Sequence, residues 1–161
     1  MRVRRCWVVI CTLFAAGAAL AQAQSNIEIR VVAQQEVVVD TDAGYKDYRL
    51  IPATSVRPGE EVAYTIFFRN VSDLPATQIV IDDPIPAQVY LKTGSVFGAG
   101  TSISYSVDGG KTFDQPAALA VLDQGTPREA RADEYTHIRW VFGDTLKPGE
   151  ERIVGFRAIL R

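Results

Sequence analysis

The chain is poor in the residue types that most often carry chemistry. It has two cysteines in 161 residues, and both, Cys6 and Cys11, lie within the first 23. Past residue 23 the sequence offers no disulfide, no thiol nucleophile and no thiolate metal site. It has one histidine, His137, where a zinc site of the usual kind needs several His or Cys ligands. No run of Lys and Arg occurs anywhere, which argues against a phosphate backbone as partner. After residue 20 no apolar run approaches the ~20 residues that span a bilayer. There is no Gly-x-Ser-x-Gly nucleophile elbow.

What is present begins at the N-terminus. Arg2, Arg4 and Arg5 precede an apolar stretch from Cys6 to Leu20 that only Thr12 interrupts. Ala21-Gln22-Ala23 then places small residues where a signal peptidase reads them, and Ala19-Leu20-Ala21 fits the same rule. Residues 1–23 therefore read as a cleavable secretory signal, cut after Ala21 or Ala23. Cys11 has no small residues before it, as a lipidation site would require, and Arg4-Arg5 alone is weak evidence for twin-arginine export. Processing removes three arginines and no acidic residue, which moves the formal charge from −2 to about −5. The thiol-free remainder, residues 24–161, is one domain's length and points to the periplasm or the exterior of a bacterium. No anchor or further domain is expected after Arg161.

That remainder reads as short strands. Ile27, Ile29 and Val31 alternate with Glu28, Arg30 and Val32, and Val37-Val38-Val39 is β-branched. Val62, Tyr64, Ile66 and Phe68 share a face, as do Ile138, Trp140 and Phe142, and Val154, Phe156, Ala158 and Leu160. Period-two runs of this length predict half-buried strands. Arg57-Pro58-Gly59-Glu60 and Lys147-Pro148-Gly149-Glu150 predict the same turn used twice, each leading into a strand. Asp108-Gly109-Gly110 predicts a tight hairpin. Only Gln115 to Asp123 suggests a helical turn or two, starting at Pro116. The expected fold is all-β, an antiparallel β-sandwich of seven or eight strands.

Several of these segments together resemble a known family. Val56 to Ile66 (VRPGEEVAYTI), Arg69-Asn70-Val71-Ser72 and Ile79 to Pro86 (IVIDDPIP) are similar to the prokaryotic conserved-repeat surface domain, domain of unknown function 11. Ser104 to Phe113 and Ile138 to Glu150 fit its second half. The resemblance spans roughly Val37 to Leu160 and rests on turns and strand patterns. It implies an immunoglobulin-like sandwich on exported or surface proteins, with no enzymatic role. Such domains usually occur in arrays, and a single copy stands here.

The remaining motifs have plain structural readings. Ser106 to Phe113 resembles the Asp-box hairpin of sialidase propellers, but one copy makes no propeller. Asp82 and Asp83 are adjacent on a strand and point to opposite faces, so they do not form a hydrolase pair. Asp40, Asp42, Asp82, Asp83 and Asp108 could offer calcium oxygen ligands, without a recognisable calcium loop. A Lys–Asn crosslink would draw on Lys46 or Lys92 with Asn70. The aromatics Tyr64, Phe67, Phe68, Tyr105, Phe113, Trp140, Phe142 and Phe156 mostly face the core, whereas Tyr45, Tyr48 and Tyr90 are loop-like and suit a binding patch if exposed.

No catalytic, cofactor-binding or metal site is therefore assigned. The expected function is a non-enzymatic envelope or surface module that works through protein–protein or surface contacts. The alternative is a carbohydrate- or calcium-binding module using the acidic loop ends. The free sheet edges expected to serve contacts are Ile27–Val39 and the C-terminal strand.

Overall fold

A computed structural model describes residues 26–41 and 44–161. Residues 1–25, which include the expected signal, and Asp42 lie outside the described residues. The chain is an all-β antiparallel sandwich, as the strand pattern predicts. Eleven strands occur among the described residues, against seven or eight expected. They are β1 (Ile27–Asp40), β2 (Lys46–Pro52), β3 (Glu61–Asn70), β4 (Ile79–Pro84), β5 (Val89–Leu91), β6 (Phe97–Gly98), β7 (Thr101–Ser106), β8 (Ala120–Asp123), β9 (Thr126–Glu129), β10 (His137–Phe142) and β11 (Glu151–Leu160). The larger sheet runs β2-β1-β3-β11-β5, with β6 also on β11. The smaller runs β4-β10-β7, and β8 and β9 form a separate hairpin.

The surplus is short. β6 has two residues, and β8–β9 turns through Gln124 and Gly125, both at positive φ. The helical expectation at Gln115–Asp123 shrinks to one 3-10 turn, Pro116–Ala118, because buried Leu119 ends it and the chain then pairs as β8.

The core forms where the two sheets overlap. Ile66 and Phe68 of β3, Ile79 and Ile81 of β4, Ile138, Trp140 and Phe142 of β10, and Val154, Phe156 and Ala158 of β11 make one apolar cluster. Phe156 stacks between Tyr64 (ring centroids 4.9 Å) and Trp140 (6.5 Å), and Phe142 meets Phe68 edge-on at 5.7 Å. The Trp140 indole N–H donates to the Phe97 carbonyl at 3.1 Å, so its one polar atom is satisfied in the core.

The two Pro-Gly turns are built alike. In each, the Glu backbone N–H donates to the carbonyl three residues back, and its carboxylate accepts from that residue's N–H: Glu60 with Arg57, Glu150 with Lys147. Gly59 and Gly149 carry the positive φ such turns require. Each turn also binds the neighbouring strand's end. Gly59 N–H donates to the Leu160 carbonyl, and Gly149 N–H donates to the Asn70 carbonyl. The antiparallel pair β3–β11 is thus closed at both ends by one device.

Two expectations about faces and edges fail. β11 is no edge strand: β3 lies on one side, β5 and β6 on the other. Its continuous apolar face matches a central position better than a boundary. Phe67 and Phe113 point outward instead of into the core. Arg30 covers the Phe67 ring at 3.8 Å and Arg139 covers Phe113 at 3.7 Å, so each cation replaces the missing apolar layer.

Candidate functional site

The smaller sheet has three strands and the larger five in line, so the sandwich cannot cover all of the larger sheet. The shortfall falls on β1. Its first half pairs with β3 from Ile27↔Asn70 to Gln34↔Ala63. Ile29 and Val31 lie on the same face as their core-facing partners Phe68 and Ile66, yet they are 53% and 50% exposed. Beside them is an open groove of about 470 Å³, lined by Asn26, Ile27 and Ile29 on one wall and by Ala76 to Val80 on the other.

The second half of β1 continues past the start of β3 and pairs with β2 instead, from Gln34↔Pro52 to Asp40↔Lys46. The two form a hairpin arm that extends beyond the sandwich. On one face of the arm Val38 lies opposite Tyr48, and Leu50 opposite Glu36. Val38 is 52% exposed, Tyr48 63% and Leu50 49%. Val39 and Ile51, on the other face, are also exposed, and Tyr45 stands exposed just before β2. Tyr48 and Tyr90 are strand residues rather than loop residues, and Tyr90 lies beneath the Arg161 guanidinium. Among the described residues nothing pairs with the outer edge of β2.

Charges hold the arm at its base. Glu61 receives Lys92 at 2.5 Å and Arg157 at 2.6 Å, and Arg157 also reaches Glu36 at 3.7 Å. Burial works to raise the Glu61 pKa, but the Arg157 and Lys92 cations outweigh it and hold the group below its ordinary value. This network lies at the mouth of a cleft of about 420 Å³ lined by Gln35, Val37, Glu60 and Ala63.

The acidic candidates do not converge. Asp82 faces outward in a two-bond pair with Arg139 (2.6 and 2.7 Å). Asp83 faces the opposite way, as strand alternation requires. Asp40 is on the arm, opposite Lys46. Asp108 is committed to its own hairpin: Oδ1 accepts from the Ser106 hydroxyl and the Lys111 and Thr112 N–H groups, and Oδ2 accepts from the Thr112 hydroxyl. These bonds, led by the Thr112 N–H, hold its pKa far below the carboxylate range. Among the described residues no three His, Cys, Asp or Glu side chains form a metal-ligand group.

His137 and the serine nearest to it in the sheet, Ser106, are cross-strand partners. The Ser106 hydroxyl is buried and donates to Asp108, while His137 Nδ1 lies 3.2 Å from the Thr136 hydroxyl. The hydrogen bonds therefore do not run from serine through histidine to carboxylate, the order a nucleophile needs. Lys92 is bound to Glu61 at the opposite end of β3 from Asn70, roughly 30 Å away at ~3.3 Å per residue, and Lys46 is on the arm. Neither lysine meets Asn70 for a crosslink.

Asp83 itself is half buried, and burial raises its pKa, with the His137 charge opposing. A carboxyl whose folded pKa is raised stabilises the fold fully only below its unfolded pKa, and that contribution is lost as pH rises through the folded value. Asp83→Asn is therefore expected to raise the melting temperature at pH 7 by about 2 °C. Melting curves from pH 7 to pH 4 should show the advantage shrink as Asp83 protonates in the parent.

No family model, curated protein or solved structure matches this chain. The sequence signal for the exposed face was the Val37-Val38-Val39 run. Nothing in the periodicity of Lys46–Pro52 singled out its pairing partner, because that segment has apolar residues on both faces.

Proposed function

We propose that this chain is a non-enzymatic, exported module of a bacterial cell envelope that holds a protein partner through the β1–β2 arm and the adjoining edge of β1. One observation carries this reading: an arm beyond the core presents Val38, Tyr48 and Leu50 to solvent on a single face. Apolar side chains grouped on one exposed face mark a contact site, whereas apolar residues exposed singly do not. A two-stranded arm alone is marginally stable in water, so a partner that covers it also stabilises it. The signal-like residues 1–23, the lack of thiols after them and the likeness to a surface-repeat domain all favour export to the periplasm or the surface. The acidic groups are spent on Arg139 and on the Asp108 hairpin, so neither calcium nor carbohydrate binding gains support from them.

The test is affinity recovery after chemical crosslinking in intact cells that export the protein. Tyr48→Ser with Leu50→Lys should lower the yield of the partner recovered with the parent protein at least tenfold. Leu122→Lys, at a more exposed apolar residue on β8, should leave it unchanged. Equal recovery with both variants would refute the arm as the contact surface.

A further inference from the structure

The arm has an open backbone edge flanked by acidic side chains, and from this we infer that it takes up an extended, basic-ended segment of its partner as an added antiparallel strand along Glu36–Asp40. The inference rests on the contact reading above and names the chemistry of the segment that the arm receives.

Backbone direction fixes which edge is open. The Ala33 carbonyl accepts from the Ala53 N–H, and the Thr41 N–H donates to the Tyr45 carbonyl, both on the β2 side. Odd-numbered residues of β1 within the arm therefore bond β2, and alternation turns the N–H and C=O of Glu36, Val38 and Asp40 to the opposite side. β3 occupies that side only as far as Gln34↔Ala63. The chain before β3 does not continue along it, because the Gly59 N–H donates to the Leu160 carbonyl and carries the turn toward β11. The cleft of about 420 Å³ opens at this point, between Gln35–Val37 and Glu60–Glu61, where an added strand lies in line with β3. Gln35 forms part of its wall, and the Gln35 side-chain oxygen is buried with no donor among the described residues. An entering chain that brings a donor relieves a cost the free protein carries.

The side chains select the segment. Glu36, Val38 and Asp40 share one face of β1, in the order acidic, apolar, acidic. Lys92 and Arg157 are held by Glu61, and Arg157 reaches Glu36 only at 3.7 Å. Asp40 lies across from Lys46 without an ion pair among the described residues. Opposite charges directly across antiparallel strands stabilise the pair, and like charges oppose it. A strand with Lys or Arg opposite Glu36 and Asp40, and an apolar residue opposite Val38, fits this edge. Its central side chain then extends the apolar face of Val38, Tyr48 and Leu50. The same edge of a second copy does not fit, because antiparallel pairing about Val38 sets Glu36 opposite Asp40. In strand addition, main-chain bonds supply affinity and alternate side chains supply specificity.

The test is titration of the exported protein, purified from cells expressing the full chain, into a carboxyfluorescein-labelled peptide, Gly-Lys-Val-Tyr-Val-Lys amide. Fluorescence anisotropy should show saturable binding. The peptide with both lysines replaced by glutamate should bind at least tenfold more weakly. The variant Glu36→Lys/Asp40→Lys should prefer the glutamate peptide by at least tenfold, a reversal that a folding defect would not produce. N-methylation of the central tyrosine, whose N–H bonds Val38, should weaken binding at least tenfold. N-methylation of the first valine, whose N–H points away from β1, should leave it within about threefold of the unmodified peptide. No saturable binding, or binding indifferent to the charge reversal or to which residue is methylated, would overturn the added strand. Failure of the peptide, with the envelope partner still lost on changing Tyr48 and Leu50, would overturn the added strand alone. Peptide binding at this edge by a protein whose arm recovers nothing in cells would overturn the arm as contact surface alone.

Discussion

Replacing Asn70 with alanine is expected to remove about 3 kcal/mol of stability, a large fraction of the 5–15 kcal/mol typical of a single domain. Asn70 is fully buried at the end of β3, and all of its polar atoms are bonded. Its side-chain N–H groups donate to the carbonyls of Leu74 (2.7 Å) and Leu146 (2.9 Å). Its oxygen accepts from the Ser72 N–H (3.0 Å) and the Ser72 hydroxyl (2.8 Å). Its backbone bonds Glu150 and Gly149. One residue thus binds the loop after β3 to the turn before β11. Asn70→Asp should cost more than alanine at pH 7, because a carboxylate in that place faces two carbonyl oxygens and would be buried without a cation. Its pKa would be raised in the fold, so its deficit should shrink as pH falls while that of Asn70→Ala stays constant. Urea unfolding of both variants at pH 7 and pH 5 reads the difference. Equal deficits at both pH values would show that the carboxamide is not the linchpin described.

Gly155→Ala is expected to cost about 3 kcal/mol, unusual for the addition of one methyl group. Gly155 lies in the middle of β11, between Thr65 of β3 and Phe97 of β6. A Cβ there would press on the Tyr64 carbonyl oxygen and sit 2.7 Å from the Phe97 ring. The ring lies across the glycine on the outer face and replaces the side chain it lacks, as aromatic residues do over glycines in strands. Phe97 can give way, but the Tyr64 carbonyl belongs to the central ladder and cannot. Phe97→Ala should therefore relieve only part of the penalty of Gly155→Ala in a double-mutant cycle. Complete relief would place the whole clash on the ring.

How much of this was legible in sequence follows from what periodicity encodes. Alternation at Val62–Phe68, Ile138–Phe142 and Val154–Leu160 marks strands because one face of each is buried, and all three are core strands. The twin Pro-Gly turns were legible because proline and a left-handed glycine leave few backbone choices. The hairpin bonds of Asp108 follow from an Asx-type motif that is local in sequence. Periodicity carries no record of which strands become neighbours. The C-terminal strand therefore read as an edge although it lies between β3 and β5, and the division of β1 between β3 and β2 was invisible. Ile29 and Val31 alternate like core residues but are half exposed, because coverage depends on how many strands the facing sheet supplies. Asn70 drew notice only within the Arg69–Ser72 segment and as a crosslink candidate, and Gly155 gave no signal, because their roles depend on Leu146, 76 positions from Asn70, and on Tyr64, 91 positions from Gly155, which only the fold brings near.

The central claim is that the arm beyond the core is the working surface. A photo-crosslinking amino acid at position 48, in cells that export the chain, tests it most directly. Irradiation should join the arm to a different protein as a discrete product, and the same group at position 122 on β8 should yield none. Products of equal yield from both positions, or none from position 48, would contradict the account.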